Sequence, residues 1–187
     1  MSGAASSSRT FAIVGTGPEG VAAIVNTLLW VSDQFDPESP ARIVVFDDRG
    51  KERVPPEAPY PLDSEFVGAH AFESDDPPPG FPSFAQYLVD QAQQDPSTAW
   101  ALTKPTWKHV FDYLEYVLEL AVVACGDRVR LESCRTPISR IHETRAGDAA
   151  TLLLADGTRL EVDRLIRPGP LKHMASPDAA RGSGRGA

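Results

Sequence analysis

Cysteine is scarce in this chain. Cys125 and Cys134 are the only two in 187 residues, too far apart for a CxxC redox pair, a zinc ribbon or a disulfide scaffold. They read as reduced thiols of a cytoplasmic protein, Cys125 a core residue at a helix end and Cys134 a strand residue. Also missing is any apolar run near the roughly 20 residues that a spanning helix needs, so no membrane is expected as a partner. Positive charge is in deficit: 18 Lys and Arg stand against 26 Asp and Glu, a formal net charge of −8. Nucleic acid and anionic lipid are not attracted to such a balance, and no nucleic-acid partner is expected. His70, His109, His142 and His173 are scattered without metal-ligand spacing, so no metal site is expected. No nucleophile elbow surrounds Ser133 or Ser139, and no catalytic residue stands out. What remains is an ordinary composition, 42% hydrophobic and 24% charged, which suits one domain with a real core.

Residues 1–9 are small and polar, and residues 171–187 are rich in Gly, Ser and Ala. Both are expected to be flexible tails around a domain over residues 10–170. Phe11 to Val14 is a short buried strand. Pro18 suits the first turn of a helix, and Val21, Ala22, Ile24, Val25, Leu28 and Leu29 continue it at helical spacing to about Asp33. "RIVVFDD" is a second buried strand, with Asp47 and Asp48 at its carboxyl end. Eight of the 17 prolines fall between residues 49 and 82. They exclude long helices and central strands there, and so long a loop is functional or disordered. Asp75 and Asp76, inside it, read as a solvated loop.

Ser83 and Gln86 form a capping-box pattern ahead of "FAQYLVDQAQQ". A longer helix follows Thr106, with Val110, Phe111, Leu114, Val117, Leu118 and Ala121 on one face and Gly126 as its stop. Trp100, Trp107, Phe111 and Tyr113 line a pocket or belong to the core. "VRLES" is a third strand, able to run parallel to the first two. Three extended runs follow, "PISRIHET", "ATLLLA" and "TRLEVDRLIR", separated by "RAGD" and by the hairpin signal Asp156–Gly157. This order predicts a three-layer α/β domain, a parallel sheet with helices and a small antiparallel β-meander.

The chemistry concentrates in residues 11–20, "FAIVGTGPEG". Gly15, Gly17 and Gly20 fit G-x-G-x-x-G between a strand and a helix, with an acid about 30 residues on. Gly15 permits the tight turn, Gly17 lets backbone approach a pyrophosphate, and Gly20 lets the helix pack close to the sheet. The helix N-terminus adds free N–H groups and a partial positive charge. The expected cofactor-binding residues here are Gly15, Gly17, Pro18, Glu19 and Gly20. Asp47, with Asp48 second, would accept hydrogen bonds from an adenosine ribose. Glu19 is ambiguous: turned outward it favours the helix dipole, turned inward it repels a pyrophosphate. A carboxylate after the second strand suits the unphosphorylated ribose of FAD or NAD. Arg49 and Arg53 would meet the 2′-phosphate of NADP, or are solvated loop charges. The competing reading is a scaffold whose glycines serve backbone geometry alone.

These segments, with "FPSFAQYLVD", "PTWKHVFDYLEYVLELA" and the meander ending in "ADGTRLEVDRLI", resemble the FAD/NAD(P)-binding family of two-dinucleotide-fold flavoproteins. The resemblance covers roughly residues 10–170 and the N-terminal portion of such proteins. It implies a Rossmann-like domain, FAD as the first cofactor with NAD or NADP as alternatives, and an oxidoreductase, or the cofactor-binding component of one, acting on a small molecule. It also places Gly169 beside the cofactor. Where the family has Ala-Thr-Gly-His or Ala-Thr-Gly-Pro, this chain has Arg167-Pro168-Gly169-Pro170. The family's arginine near residue 107 is replaced by Thr106, Trp107, Lys108 and His109. Full-length members continue into a second nucleotide fold, which is not expected in the residues after Gly169. These departures imply the alternatives: a non-catalytic accessory or binding protein without redox activity, or a truncated flavoprotein. The implied partners are a small-molecule substrate, or a protein or second copy of the chain that completes the cofactor cleft.

Overall fold

The computed structural model describes residues 9–46, 55–60, 77–144 and 149–168. At its centre lie two strands, β1 (Thr10–Val14) and β2 (Ala41–Phe46). Apart from Thr10 and Arg42, which stand opposite each other near their starts, both are apolar, as strands covered on two faces must be. Phe11, Ile13, Ile43 and Val45 pack into a core shared with the helices, while Ala12, Val44 and Phe46 pack into a second core on the other face. The two strands pair in parallel, Thr10 opposite Arg42 and Val14 opposite Phe46. Further strands flank them, β3 (Val129–Cys134) beside β2 and β7 (Arg164–Ile166) beside β1. All are parallel, in the order β3-β2-β1-β7.

Helices α1 (Pro18–Ser32), α2 (Phe84–Gln94) and α3 (Trp107–Cys125) cover one face. Where α1 meets α3, the buried Cys125 thiol donates to the Leu28 carbonyl at 3.3 Å. The buried Thr27 hydroxyl donates to Ala23 within α1 at 2.7 Å. α3 stops at Gly126, whose φ of +52° lies in the region that favours glycine. The other face carries the antiparallel meander β4 (Ile138–Glu143), β5 (Ala150–Leu154) and β6 (Arg159–Val162). Ala150, Leu152, Leu154 and Val162 turn inward from it. Its hairpin turns at Gly157, with φ of +87°, and Thr158 N–H donates to Asp156 Oδ1 at 2.9 Å. The expected Rossmann-like α/β fold is the observed one.

Three local expectations need correction, and one reading left open by the sequence is decided. The run "TRLEVDRLIR", expected as one strand, is two strands in two sheets. It breaks at Asp163, whose N–H donates to Thr10 O at 2.8 Å and whose Oδ2 accepts from Thr10 N–H at 2.7 Å. Only half of the expected capping box forms: Ser83 Oγ accepts from Gln86 N–H at 3.2 Å, but the Gln86 amide donates to Asp90 Oδ1 at 2.7 Å. Trp107 and Tyr113 are core rather than pocket lining, and the Tyr113 hydroxyl donates to Pro82 O at 3.1 Å. Burial pushes that phenol's pKa up.

Finally, residues 55–60 of the proline-rich stretch are packed. Tyr60 is buried with its ring edge-on to Phe84 and Trp107. Its N–H donates to Pro105 O at 2.8 Å, while Ala58 O and Pro56 O accept from Trp107 and Lys108 N–H at 3.0 and 2.7 Å. Those are donors of the first turn of α3, which have no partner within the helix.

Candidate functional site

All four strands of the main sheet end at one edge. From β1 the chain moves outward to β2 and then β3, and returns to β7 on the other side of β1. The direction of winding therefore reverses beside β1. In open α/β sheets, ligands bind at such a switch point, outside the carboxyl ends of the strands. The turn from Gly15 to Gly20 stands there.

Gly15 has φ of +124°, where a side chain is strained, and its N–H donates to Phe46 O at 2.9 Å. The turn is thereby tied to the end of β2. Gly17 is the N-cap of α1, with extended backbone, and Pro18 opens the helix. Val21 N–H makes the first helical rung, to Gly17 O at 2.9 Å. Pro18 has no N–H, so Glu19 and Gly20 carry the donors of the first turn that lack a helical partner. They lie at the positive end of α1. A Cβ on Gly20 would stand 2.2 Å from Gly15 O and 2.6 Å from Gly15 C. The helix start therefore rests directly on the backbone of Gly15, and only glycine permits it.

The sequence leaves two orientations open for Glu19; the side chain takes the inward one. Its Oε2 lies 3.2 Å from where a Cβ of Gly17 would be, with Cδ and Oε1 at 3.5 and 3.6 Å. That oxygen is buried and has no hydrogen-bond partner among the described residues. The turn thus sets open backbone at the positive end of α1 and a carboxylate beside Gly17.

The structure thus brings together Gly15, Gly17, Pro18, Glu19 and Gly20. Asp47, Asp48 and Gly169 lie outside the described residues, as do Arg49, Arg53, Asp75, Asp76, His70 and His173. Phe46, directly before Asp47, pairs with Val14 at the mouth of the turn. At the end of β7, Ile166 stands level with Ile13. Beyond it, Arg167 Nη2 reaches Glu143 Oε1 at 2.7 Å, which draws the guanidinium toward the end of β4.

His109 has a role that sequence reasoning missed. Its Nδ1 accepts from Thr106 N–H at 3.0 Å and lies 2.9 Å from Thr106 Oγ1. The spacing T-x-x-H is that of a capping box with histidine at the third position, which is the signal for it. The ring also stands edge-on to Trp100, which is 53% exposed. Among the described residues no group of His, Cys, Asp and Glu is placed to hold a metal ion, and no helix is long and apolar enough to cross a membrane.

Residues 12–166 match the profile of the family described as FAD-NAD(P)-binding. No curated protein matches by sequence. Similar solved structures include the lysine monooxygenase NbtG from Nocardia farcinica, at 20% identity and a TM-score of 0.44, with 87% of this chain and 44% of that one covered. A doubly substituted flavin monooxygenase from Stenotrophomonas maltophilia gives 14% and 0.43, covering 86% and 38%. The halogenase PltM in complex with phloroglucinol and FAD gives 11% and 0.43, covering 92% and 36%. The chain spans less than half the length of each of these proteins.

Proposed function

This chain belongs to the FAD-NAD(P)-binding family, and on that footing we propose that its Gly15–Gly20 turn holds the pyrophosphate of FAD. One observation carries the reading: the start of α1 is seated on the Gly15 backbone at the switch point of the sheet. Glu19 and Gly20 N–H groups bind phosphate oxygens there, Gly17 allows their approach, and Pro18 sets the first turn. Asp47, with Asp48 second, accepts from the ribose hydroxyls, and Gly169 lies against the flavin. NAD and NADP are the alternative ligands, with Arg49 and Arg53 at hand for a 2′-phosphate. A bound flavin supplies the electron-transfer chemistry, so the chain's own task is to bind and orient it. The protein is then a cytoplasmic oxidoreductase, or the cofactor-binding component of one, acting on a small molecule. A protein partner or second copy completes the cofactor cleft.

The test is a visible absorbance spectrum of the purified chain, followed by titration with FAD, NAD and NADP. Saturable binding, tightest for FAD, is expected. No binding of any of the three, by the natural chain or by a Glu19→Gln variant, overturns the reading. The inward carboxylate of Glu19 favours a second reading, a binding or accessory protein without redox activity. Turnover of NADH or NADPH by the FAD-loaded chain would rule that out.

A further inference from the structure

We propose that Glu19 is an internal competitor for the phosphate seat of this turn and thereby sets how tightly the site takes a phosphate ester. The inference rests on reading the turn as a dinucleotide cradle. In such a cradle the second glycine lacks a side chain so that a pyrophosphate can approach its backbone. Here the space above Gly17 is filled by the carboxyl group of Glu19, with three of its atoms within 3.6 Å of the Cβ position.

The state of that carboxylate explains why it is there. Its Oε2 is buried and accepts from no described donor, an arrangement that is costly unless some other field favours the charge. The positive end of α1 provides that field. It is the same field that binds a phosphate, and two anions cannot share it. Glu19 is the second residue of α1, so its side chain can swing outward without any backbone movement. A nucleotide must displace it, and the measured affinity is the difference between two anions in one seat. Ligands without phosphate do not meet this competition.

The test titrates the full chain and its Glu19→Gln variant with ADP, FAD and adenosine, with a thermal melt of each variant to check folding. Glu19→Gln keeps size and removes charge, so ADP and FAD should bind at least about tenfold tighter, the low end of the scale for one like charge removed near a protein surface. Adenosine binding should be unchanged. Glu19→Asp, which keeps the charge but lacks the reach over Gly17, should also gain, and serves if the first variant does not fold. Equal or weaker ADP binding by Glu19→Gln, with FAD bound by the natural chain, overturns the inference and leaves the cradle standing. An equal gain for adenosine overturns it too, because the effect is then not at the phosphate. Failure of both chains to bind any ligand overturns the cradle and the competitor together. Binding by Glu19→Gln alone supports both.

Discussion

A methyl group on Gly20 and one on Gly17 meet different obstacles, and that difference separates the two jobs of the turn. On Gly20 it would stand 2.2 Å from a backbone oxygen of Gly15, so the helix start must lift from the sheet. Gly20→Ala should therefore lower stability by about 3 kcal/mol, read as a lower midpoint in urea unfolding. On Gly17 it would meet only the end of the Glu19 side chain at 3.2 Å, which can move aside. Gly17→Ala should cost no more than about 1 kcal/mol, the loss of a glycine N-cap, yet should abolish FAD binding. A Gly20→Ala chain as stable as the natural one would mean that the close approach does not constrain the fold. The glycines were legible because their spacing and their place between a strand and a helix carry the geometry. The direction of Glu19 was not, since both rotamers suit the same local sequence and only the space above Gly17 decides between them. Asp47, Asp48 and Gly169 stay with the proposal, being outside the described residues.

Among the elements, α3 shows how much local pattern can and cannot convey. Its apolar face repeats at helical spacing, and its stop at Gly126 is a glycine with positive φ, so its course was readable. What holds its first turn was not. Pro56 O, Ala58 O and the ring of Tyr60 come from a stretch without periodicity, and their role exists only through contacts distant in sequence. The same reason hides the break at Asp163, where an unbroken strand pattern changes sheets because that residue bonds to Thr10. It also hides the fate of Gln86, drawn from the cap by Asp90 one helical turn on. If Tyr60 anchors α3, Tyr60→Ala should destabilise the chain by about 3 kcal/mol through loss of buried aromatic contacts. The amides of Trp107 and Lys108 should be protected from hydrogen exchange in the natural chain and lose that protection in the variant. Unchanged exchange at those two amides would show that the segment merely lies on the helix.

For the molecule as a whole, titratable groups set both ends of the stability range. Glu132 has its pKa lowered, first by the hydrogen bond from Arg42 across β2 and β3, whose Nη2 lies 2.7 Å from Oε2. Asp95 and Asp156 are lowered by hydrogen bonds from Ser97 and Thr158. A carboxyl group lowered on folding contributes stability above its unfolded value, ordinarily 4.5 for Glu and 3.8 for Asp, and loses it as pH falls through the lower folded value. At the other end, burial raises the Cys125 thiol and the Tyr113 phenol. These acids favour folding fully below their ordinary values of 9.0 and 10.0, and their share is lost as pH rises toward the raised ones. Urea midpoints should therefore form a plateau between the two limits and fall on either side. Glu132→Gln should flatten only a small part of the acid limb, about 0.5 kcal/mol, because both partners are more than a third exposed. Tyr113→Phe should flatten the alkaline limb while costing about 1 kcal/mol everywhere for the lost bond to Pro82. An alkaline limb unchanged in Tyr113→Phe would remove this phenol from the account and leave the limb to Cys125 and to Tyr87, whose phenol burial also raises, so that Cys125→Ala and Tyr87→Phe together would then have to flatten it.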